Sequence, residues 1–151
     1  MNSKQLIVAL WLSVAASGSA WGNTDMDNVL RALDQDKPEL YEVVMTSFIA
    51  SAKAGDIDKM VALTSAVTVK KIGLENLKGH YRKDTVPALR ACTRIARGAD
   101  VIHLDKQSGD PSSGWAYRKT CITGEGKSIL LQFVILNENG RIALASFERA
   151  R

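Results

Sequence analysis

The sequence predicts an α+β domain in which N-terminal helices pack on an antiparallel sheet of about four strands. Three observations favour this class. Apolar residues recur at helical spacing between positions 25 and 63, β-forming segments follow one another between positions 115 and 148, and Gly-containing turns separate those segments. A chain of 151 residues is long enough for one domain with a substantial core.

The first residues, from Met1 to about Ala20, have the pattern of a secretory signal peptide. Lys4 precedes an apolar run at positions 6–16, and Gly18-Ser19-Ala20 offers small residues for cleavage. The run is shorter than the roughly 20 residues that a membrane span needs. We therefore expect a cleaved signal, a periplasmic or secreted protein without a membrane span, and a single mature domain over residues 21–151. An uncleaved anchor is the alternative.

Three helices are expected next. The first runs from Asp25 to about Asp34, the second begins near Pro38 and ends at Gly55, and Asp56 caps a short third. The inward stripe of the second helix is predicted at helical spacing. It comprises Leu40, Val43, Val44 and Phe48.

The middle of the chain is less regular. Residues 64–72 are interpreted as a short strand or an irregular turn, and the spacing of Leu74, Leu77 and Tyr81 indicates a helical segment. A further helix is expected to start near Thr85 and to end at Gly98. Residues 99–105 are then predicted to form a strand.

Three strands are expected after a turn-rich loop at 107–114: Trp115–Thr123, Lys127–Leu136 and Arg141–Glu148. Asn139-Gly140 is a strong signal for a tight hairpin, because both residues tolerate positive φ. If residues 124–126 form a three-residue loop, alternation places one set of side chains on a common face. That set comprises Trp115, Tyr117, Lys119, Phe133, Leu144, Ser146 and Glu148.

The opposite face of the sheet is also predicted to be apolar, which is unusual for an antiparallel sheet with one solvated side. The helices can cover only one face, so we expect a homodimer through the other. Its apolar row comprises Leu130, Val134, Leu136, Ala143, Ala145 and Phe147.

Cys92 and Cys121 are the two cysteines of the chain. In an exported protein an even pair favours a disulfide. No Cys-x-x-Cys motif is present and no histidine has metal-ligand spacing, so we expect neither a metal nor another cofactor. The disulfide would place Cys92, expected on a helix, over the face that carries Cys121.

Residues 48–56 (FIASAKAGD), followed by an apolar helix to Leu63, resemble the opening of the nuclear transport factor 2-like superfamily, which has a cystatin-like cone fold. The resemblance covers about Pro38 to Glu148. It implies a curved sheet, a cone-shaped pocket between sheet and helices, and frequent homodimerisation. It implies no single activity, since the superfamily includes isomerases, cyclases, dehydratases and non-catalytic binders.

Other possible sites have weaker support. Gly124-Glu125-Gly126-Lys127-Ser128 mimics the tail of a phosphate-binding loop, but it lacks the upstream Gly and precedes a strand. Arg90, Arg94 and Arg97 would share a helical face, which is either an anion or membrane-surface patch or a solvated face. His80 and Asp84 have the spacing for a helical contact, or for an exposed polar pair. Nucleic acid is not expected as a partner.

No catalytic set can be assembled from spacing, so we expect binding rather than catalysis. The predicted ligand site is the concave face, and the ligand is an apolar molecule with an anionic group. Plain core packing with a Lys119–Glu148 surface pair is the alternative. The site residues are Trp115, Tyr117, Lys119, Phe133 and Ser146.

The functional hypothesis is an exported, non-catalytic binding or accessory protein that binds an envelope protein or an apolar small ligand. One alternative is a small-molecule isomerase, cyclase or dehydratase that uses the cone pocket. Another is an inhibitor or immunity protein, which should show a large exposed patch.

Overall fold

The computed structural model of the chain describes residues 37–104 and 113–150. The expected signal segment at 1–20 and the expected helix at 25–34 lie outside these residues. The described elements confirm the α+β class, with helices followed by an antiparallel sheet of four strands in the order β1-β2-β3-β4. The helical elements are α1 (Pro38–Ala54), α2 (Ile57–Leu63), α3 (Ala66–Ile72), α4 (Leu74–His80), a π-helical turn (Tyr81–Thr85) and α5 (Val86–Ala91). The strands are β1 (Cys92–Leu104), β2 (Ser113–Thr123), β3 (Ser128–Glu138) and β4 (Arg141–Ala150).

Helix α1 begins at Pro38 as predicted, but its buried stripe is rotated by one residue. Leu40 and Val43, which were expected to face the core, are 41% and 62% exposed. The sequence contains two adjacent stripes, and the helix buries the one with the larger side chains, because these remove more apolar surface from water. The buried stripe comprises Tyr41, Met45, Phe48 and Ala52.

The junction between α1 and α2 follows the expected chemistry. Gly55 has a φ of 79°, in the left-handed region that glycine adopts without strain. The Asp56 side chain accepts a 3.0 Å hydrogen bond from the Lys59 N–H and caps α2. The backbone therefore reverses between the two helices within two residues, as the local sequence predicts.

The helical segment 74–91 contains the π turn at its centre. The Val86 N–H donates to the Tyr81 carbonyl, five residues earlier. In an α-helix the Pro87 ring would clash with the carbonyl of Lys83, four residues before it. The wider turn moves that carbonyl, so the helix continues through Pro87.

The predicted helix end at Gly98 is wrong, because α5 ends at Ala91 and β1 begins at Cys92. Arg90, Arg94 and Arg97 consequently share no helical face, since the last two lie in a strand. Thr93 and Ile95 are β-branched and favour an extended backbone. The segment also pairs with the end of β2, and this pairing further stabilises the strand.

The first hairpin has the predicted register. Across the β2–β3 ladder, Lys119 pairs with Leu131 and Tyr117 pairs with Phe133. The side chains of these residues point toward the helices, and we call this side of the sheet the inner face. The register confirms the three-residue loop at 124–126.

The second hairpin begins as predicted, with φ values of 53° at Asn139 and 89° at Gly140. Its register then shifts between Val134 and Ile135, so that Ala145 is an extra residue in β4. The expected placement of Ser146 on the same face as Phe133 is wrong, because Phe147 pairs with Phe133. Alternation after the bulge is therefore inverted, and Ser146 and Glu148 lie on the outer face, while Phe147 and Arg149 lie on the inner face.

The bulge is fixed by hydrogen bonds from the segment between α2 and α3. The Ser65 N–H donates to the Leu144 carbonyl at 2.7 Å, and the Thr68 hydroxyl donates to the Ala145 carbonyl at 2.9 Å. Thr64 also forms an isolated parallel bridge with Leu144. The backbone at Ala145 is thereby held by the helical layer, and the next residues re-enter the ladder one position later.

The core lies between the helices and the inner face. The ring of Phe48 packs against Tyr81 and Phe147, with centroids 5.5 and 6.2 Å apart. The predicted disulfide is present between Cys92 and Cys121, whose Cα atoms are 5.4 Å apart. It joins the start of β1 to β2 beneath the end of α5, and both cysteines are buried.

Candidate functional site

The predicted concave face is occupied by packed side chains. Trp115, Tyr117, Lys119 and Phe133 lie on the inner face, whereas Ser146 lies on the outer face opposite Val134. Tyr117 is 2% exposed and Phe133 is fully buried. The ring of Trp115 packs on His103 with centroids 4.6 Å apart, so four of the five residues share a face and three of them are buried there.

The two polar residues of this face are bonded to α1. The Tyr117 hydroxyl donates to the Pro38 carbonyl. The Lys119 ammonium, which is almost fully buried, donates to the Glu42 carboxylate at 3.3 Å. The expected Lys119–Glu148 pair is therefore wrong, because the bulge turns Glu148 to the outer face.

Burial raises the pKa of the Tyr117 hydroxyl, and the negative charges of Glu42 and Glu39 raise it further. The phenol remains protonated at neutral pH and serves as a hydrogen-bond donor to the backbone. Tyr117 and Lys119 thus attach β2 to α1 instead of presenting groups to a ligand.

An open groove lies elsewhere, between the π turn, the start of α5 and the end of β4. Its volume is about 390 Å³, within the range of small-molecule sites. Pro87 and Ala91 line one wall, while Phe147 and Arg149 line the other. A second depression of about 280 Å³ follows α1 beside Glu39 and Glu42. Neither is lined by a residue of the predicted site.

Thr85 lines the groove, and its buried hydroxyl is bonded by no described residue. The side chain is 1% exposed, and its Oγ1 has no hydrogen-bond partner. Threonine in a helix ordinarily donates to the carbonyl four residues earlier, and Thr46 and Thr64 do so here, at 2.9 and 2.8 Å. Thr85 lies in the π turn, where the carbonyl positions differ. An unpaired buried hydroxyl costs about 1–3 kcal/mol.

The charges around the groove are mostly positive. Among the described residues, none forms an ion pair with Lys83 or Arg149, and both are exposed. The His80 Nδ1 lies 2.9 Å from the Asp84 carboxylate, which realises the helical contact predicted from spacing. The side chains of Lys83, Arg149 and Asp84 together carry one net positive charge.

Sequence reasoning identified the His80–Asp84 contact but not the rest of this site. Thr85 was considered only as the start of a helix, and Phe147 was assigned to the outer face. Pro87 within a helical segment was the available signal for the π turn. No local signal marked the bulge at Ala145, because its hydrogen-bond donors come from residues 65–68.

Within the described part of the chain, no three side chains of His, Cys, Asp or Glu are grouped as metal ligands would be. None of the helices in that part is long and apolar enough to cross a membrane.

No protein-family model, curated protein or solved structure matches the chain. The interpretation of the groove consequently depends on its own geometry.

Proposed function

We propose that this chain is an exported, non-catalytic binding protein of the cell envelope with a nuclear transport factor 2-like fold, and that its ligand binds in the groove. One observation carries the choice of site. On the inner face of the sheet, Tyr117 and Lys119 are bonded to α1, whereas the groove is open and has in its lining Thr85, whose buried hydroxyl lacks a partner. Buried polar groups are nearly always hydrogen-bonded, so this exception needs an explanation, and a bound ligand is one.

The alternative of an isomerase, cyclase or dehydratase is less well supported. Such an enzyme would need ionisable groups in an enclosed cone pocket. The candidates at that position are Tyr117 and Lys119, and both are engaged by α1. Binding requires only the groove, which the folded chain already provides.

Export is supported by the Cys92–Cys121 disulfide, since such bonds persist in oxidising compartments. The proposal includes cleavage near Ala20. Mass spectrometry should therefore find that the mature chain begins close to Trp21. Recovery of chains that retain Met1 would contradict export by this signal.

We also propose a homodimer through the outer face of the sheet. Leu130 and Ile102 are 40% and 43% exposed there, and Val134 lies on the same face, in one cross-strand row with Ala116 and Ile102. Phe147 is not part of this surface, because the bulge turns it inward. Val134→Glu should place a charge in the interface and give a monomer by sedimentation, while a monomeric wild type at micromolar concentration would contradict the dimer.

The binding function is tested by blocking the groove. Ala91 is exposed and lines it, so Ala91→Trp should occupy the space without disturbing the core. Ala50→Trp places the same side chain at an exposed position of α1, outside the groove, and serves as the control. Small molecules that raise the Tm of the wild type and of Ala50→Trp should have no effect on Ala91→Trp. If Ala91→Trp retains every such shift, the groove is not the binding site.

A further inference from the structure

We propose that the groove binds an amphiphilic anion, with a carboxylate or phosphate head between Lys83, Arg149 and the Thr85 hydroxyl, and an apolar body on Phe147 and Pro87. This inference rests on the proposed function and specifies its ligand class.

The head group is inferred from the donors that the fold leaves available. Lys83 and Arg149 approach the groove from opposite walls, one on the π turn and one on β4, and neither is paired within the described part of the chain. A guanidinium group can bind a carboxylate or phosphate through two parallel hydrogen bonds. The Thr85 oxygen is buried behind the groove surface, and its hydroxyl can donate a third bond when the side chain turns toward the head, which would satisfy its missing partner. The Asp84 carboxylate, which is paired with His80, would repel a second anionic group. The ligand should therefore carry a single anionic head.

The apolar body is inferred from the opposite part of the lining. The ring of Phe147 is half-buried, and Phe133 and Phe48 support it at centroid distances of 5.0 and 6.2 Å. The ring is therefore fixed and offers a rigid apolar surface beside Pro87. A bare inorganic anion would leave this surface exposed to water, whereas a neutral apolar molecule would desolvate two cations without compensation.

The π turn and the bulge in β4 explain why the site lies at this position. The π turn inserts an extra residue into the helix, and its effect is to leave Thr85 without its usual acceptor. The extra residue Ala145 in β4 turns Phe147 and Arg149 toward the helices. If the π turn or the bulge were absent, the residues proposed to contact the head and those proposed to contact the apolar body would not meet in one groove.

Isothermal titration with single-tailed probes tests the ligand class. The probes are decanoate, decyl phosphate, decanol, decyltrimethylammonium and inorganic phosphate. The ionic amphiphiles are used below their micellar concentrations and decanol below its solubility limit. Decanoate or decyl phosphate should bind, and the stronger of the two identifies the head. The double variant Lys83→Ala/Arg149→Ala should weaken this binding about tenfold or more. Lys70→Ala/Lys71→Ala removes the same charge from exposed positions of α3 and should leave binding unchanged.

Thr85→Val gives an independent readout because it keeps the shape and removes the hydroxyl. It should raise the Tm, since the unsatisfied group is gone, and at the same time weaken binding of the anionic probes several-fold. A purely structural threonine would not combine these opposite effects.

The inference is overturned if decanol binds as tightly as decanoate, if inorganic phosphate alone binds as tightly as decyl phosphate, or if the Lys83/Arg149 double variant binds normally. It is also overturned if neither anionic probe binds. These outcomes leave the proposed function standing when other molecules still bind and Ala91→Trp blocks them. The proposed function itself fails when Ala91→Trp blocks none.

Discussion

Phe147 lies opposite Phe133 across the β3–β4 ladder, with ring centroids 5.0 Å apart, only because Ala145 is an extra residue in β4. In a continuous register Ser146 would occupy that position and Phe147 would point away from the helices. One inserted residue thus decides whether an aromatic ring belongs to the core or to the surface.

Deletion of Ala145 should leave Phe147 in the core. Ser146 would then follow Leu144 directly, so a ladder without the bulge still pairs Phe147 with Phe133. The hydrogen bond that Thr68 donates to the Ala145 carbonyl would be lost, so the free energy of unfolding should fall by about 1–2 kcal/mol. Phe147→Ala removes the ring and should cost about 3 kcal/mol. Urea denaturation of both variants measures the difference, and a larger loss on deletion than in Phe147→Ala would show that Phe147 leaves the core.

Two glycines with equal space around them should respond oppositely to alanine. A Cβ at Gly140 or at Gly79 would meet no atom within 4 Å. Gly140 has a φ of 89°, so Gly140→Ala should destabilise by about 1–2 kcal/mol. Gly79 lies in α4, where Gly79→Ala should stabilise by up to about 1 kcal/mol. Thermal unfolding of the two variants provides the measurement, and a shift of the same sign in both would refute the argument from backbone conformation.

Loss of the disulfide should destabilise the fold mainly because the unfolded chain is no longer constrained, and not because core packing is lost. The bridge spans 29 residues of sequence, which corresponds to about 3–4 kcal/mol on the chain-entropy model. Cys92→Ser/Cys121→Ser should show this loss in denaturant unfolding. Reduced wild type is the matched comparison and should agree with the variant. Unchanged stability in both would mean that the unfolded chain is not appreciably constrained by the bridge.

Alkaline pH should destabilise the protein through two buried tyrosines. Burial raises the pKa of Tyr81 and of Tyr117 above the ordinary value of 10.0. Above about pH 10 the unfolded chain loses these protons while the folded chain retains them, so the free energy of unfolding falls as pH rises. Below that pH the two groups contribute no pH dependence.

The check compares wild type with Tyr81→Phe/Tyr117→Phe in urea titrations between neutral and strongly alkaline pH. The double variant is less stable at neutral pH, because each hydroxyl bonds a neighbour, but its alkaline slope should be shallower. An identical slope would exclude the tyrosines as its source.

Features set by local chemistry could be predicted from the sequence. Gly55 and Asp56 define a helix junction within two residues, and the loop at 124–126 fixes the register of Tyr117 against Phe133. In each case the residues that determine the geometry are adjacent in the chain. The same holds for Asn139-Gly140, whose positive φ values begin the second hairpin.

Features set by distant contacts could not be predicted. The bulge at Ala145 depends on a hydroxyl from Thr68, far away in sequence. In α1, two neighbouring apolar stripes were equally compatible with the pattern, and only packing against the sheet selects Tyr41 over Leu40. The contacts of the predicted site residues could not be foreseen for a related reason, because alternation assigns Tyr117 and Lys119 to a face but does not say that α1 bonds them there.

The strand order of the sheet also has a consequence for how the chain folds. Every neighbouring pair of strands is consecutive in sequence, so the sheet can form from short-range contacts, one hairpin at a time. Helix α1 is different, because it precedes these strands by many residues and contacts β2, β3 and β4. Closing that long interval carries a larger chain-entropy cost. We therefore expect docking of α1 onto a preassembled sheet to limit the folding rate, with β-hairpin formation preceding it.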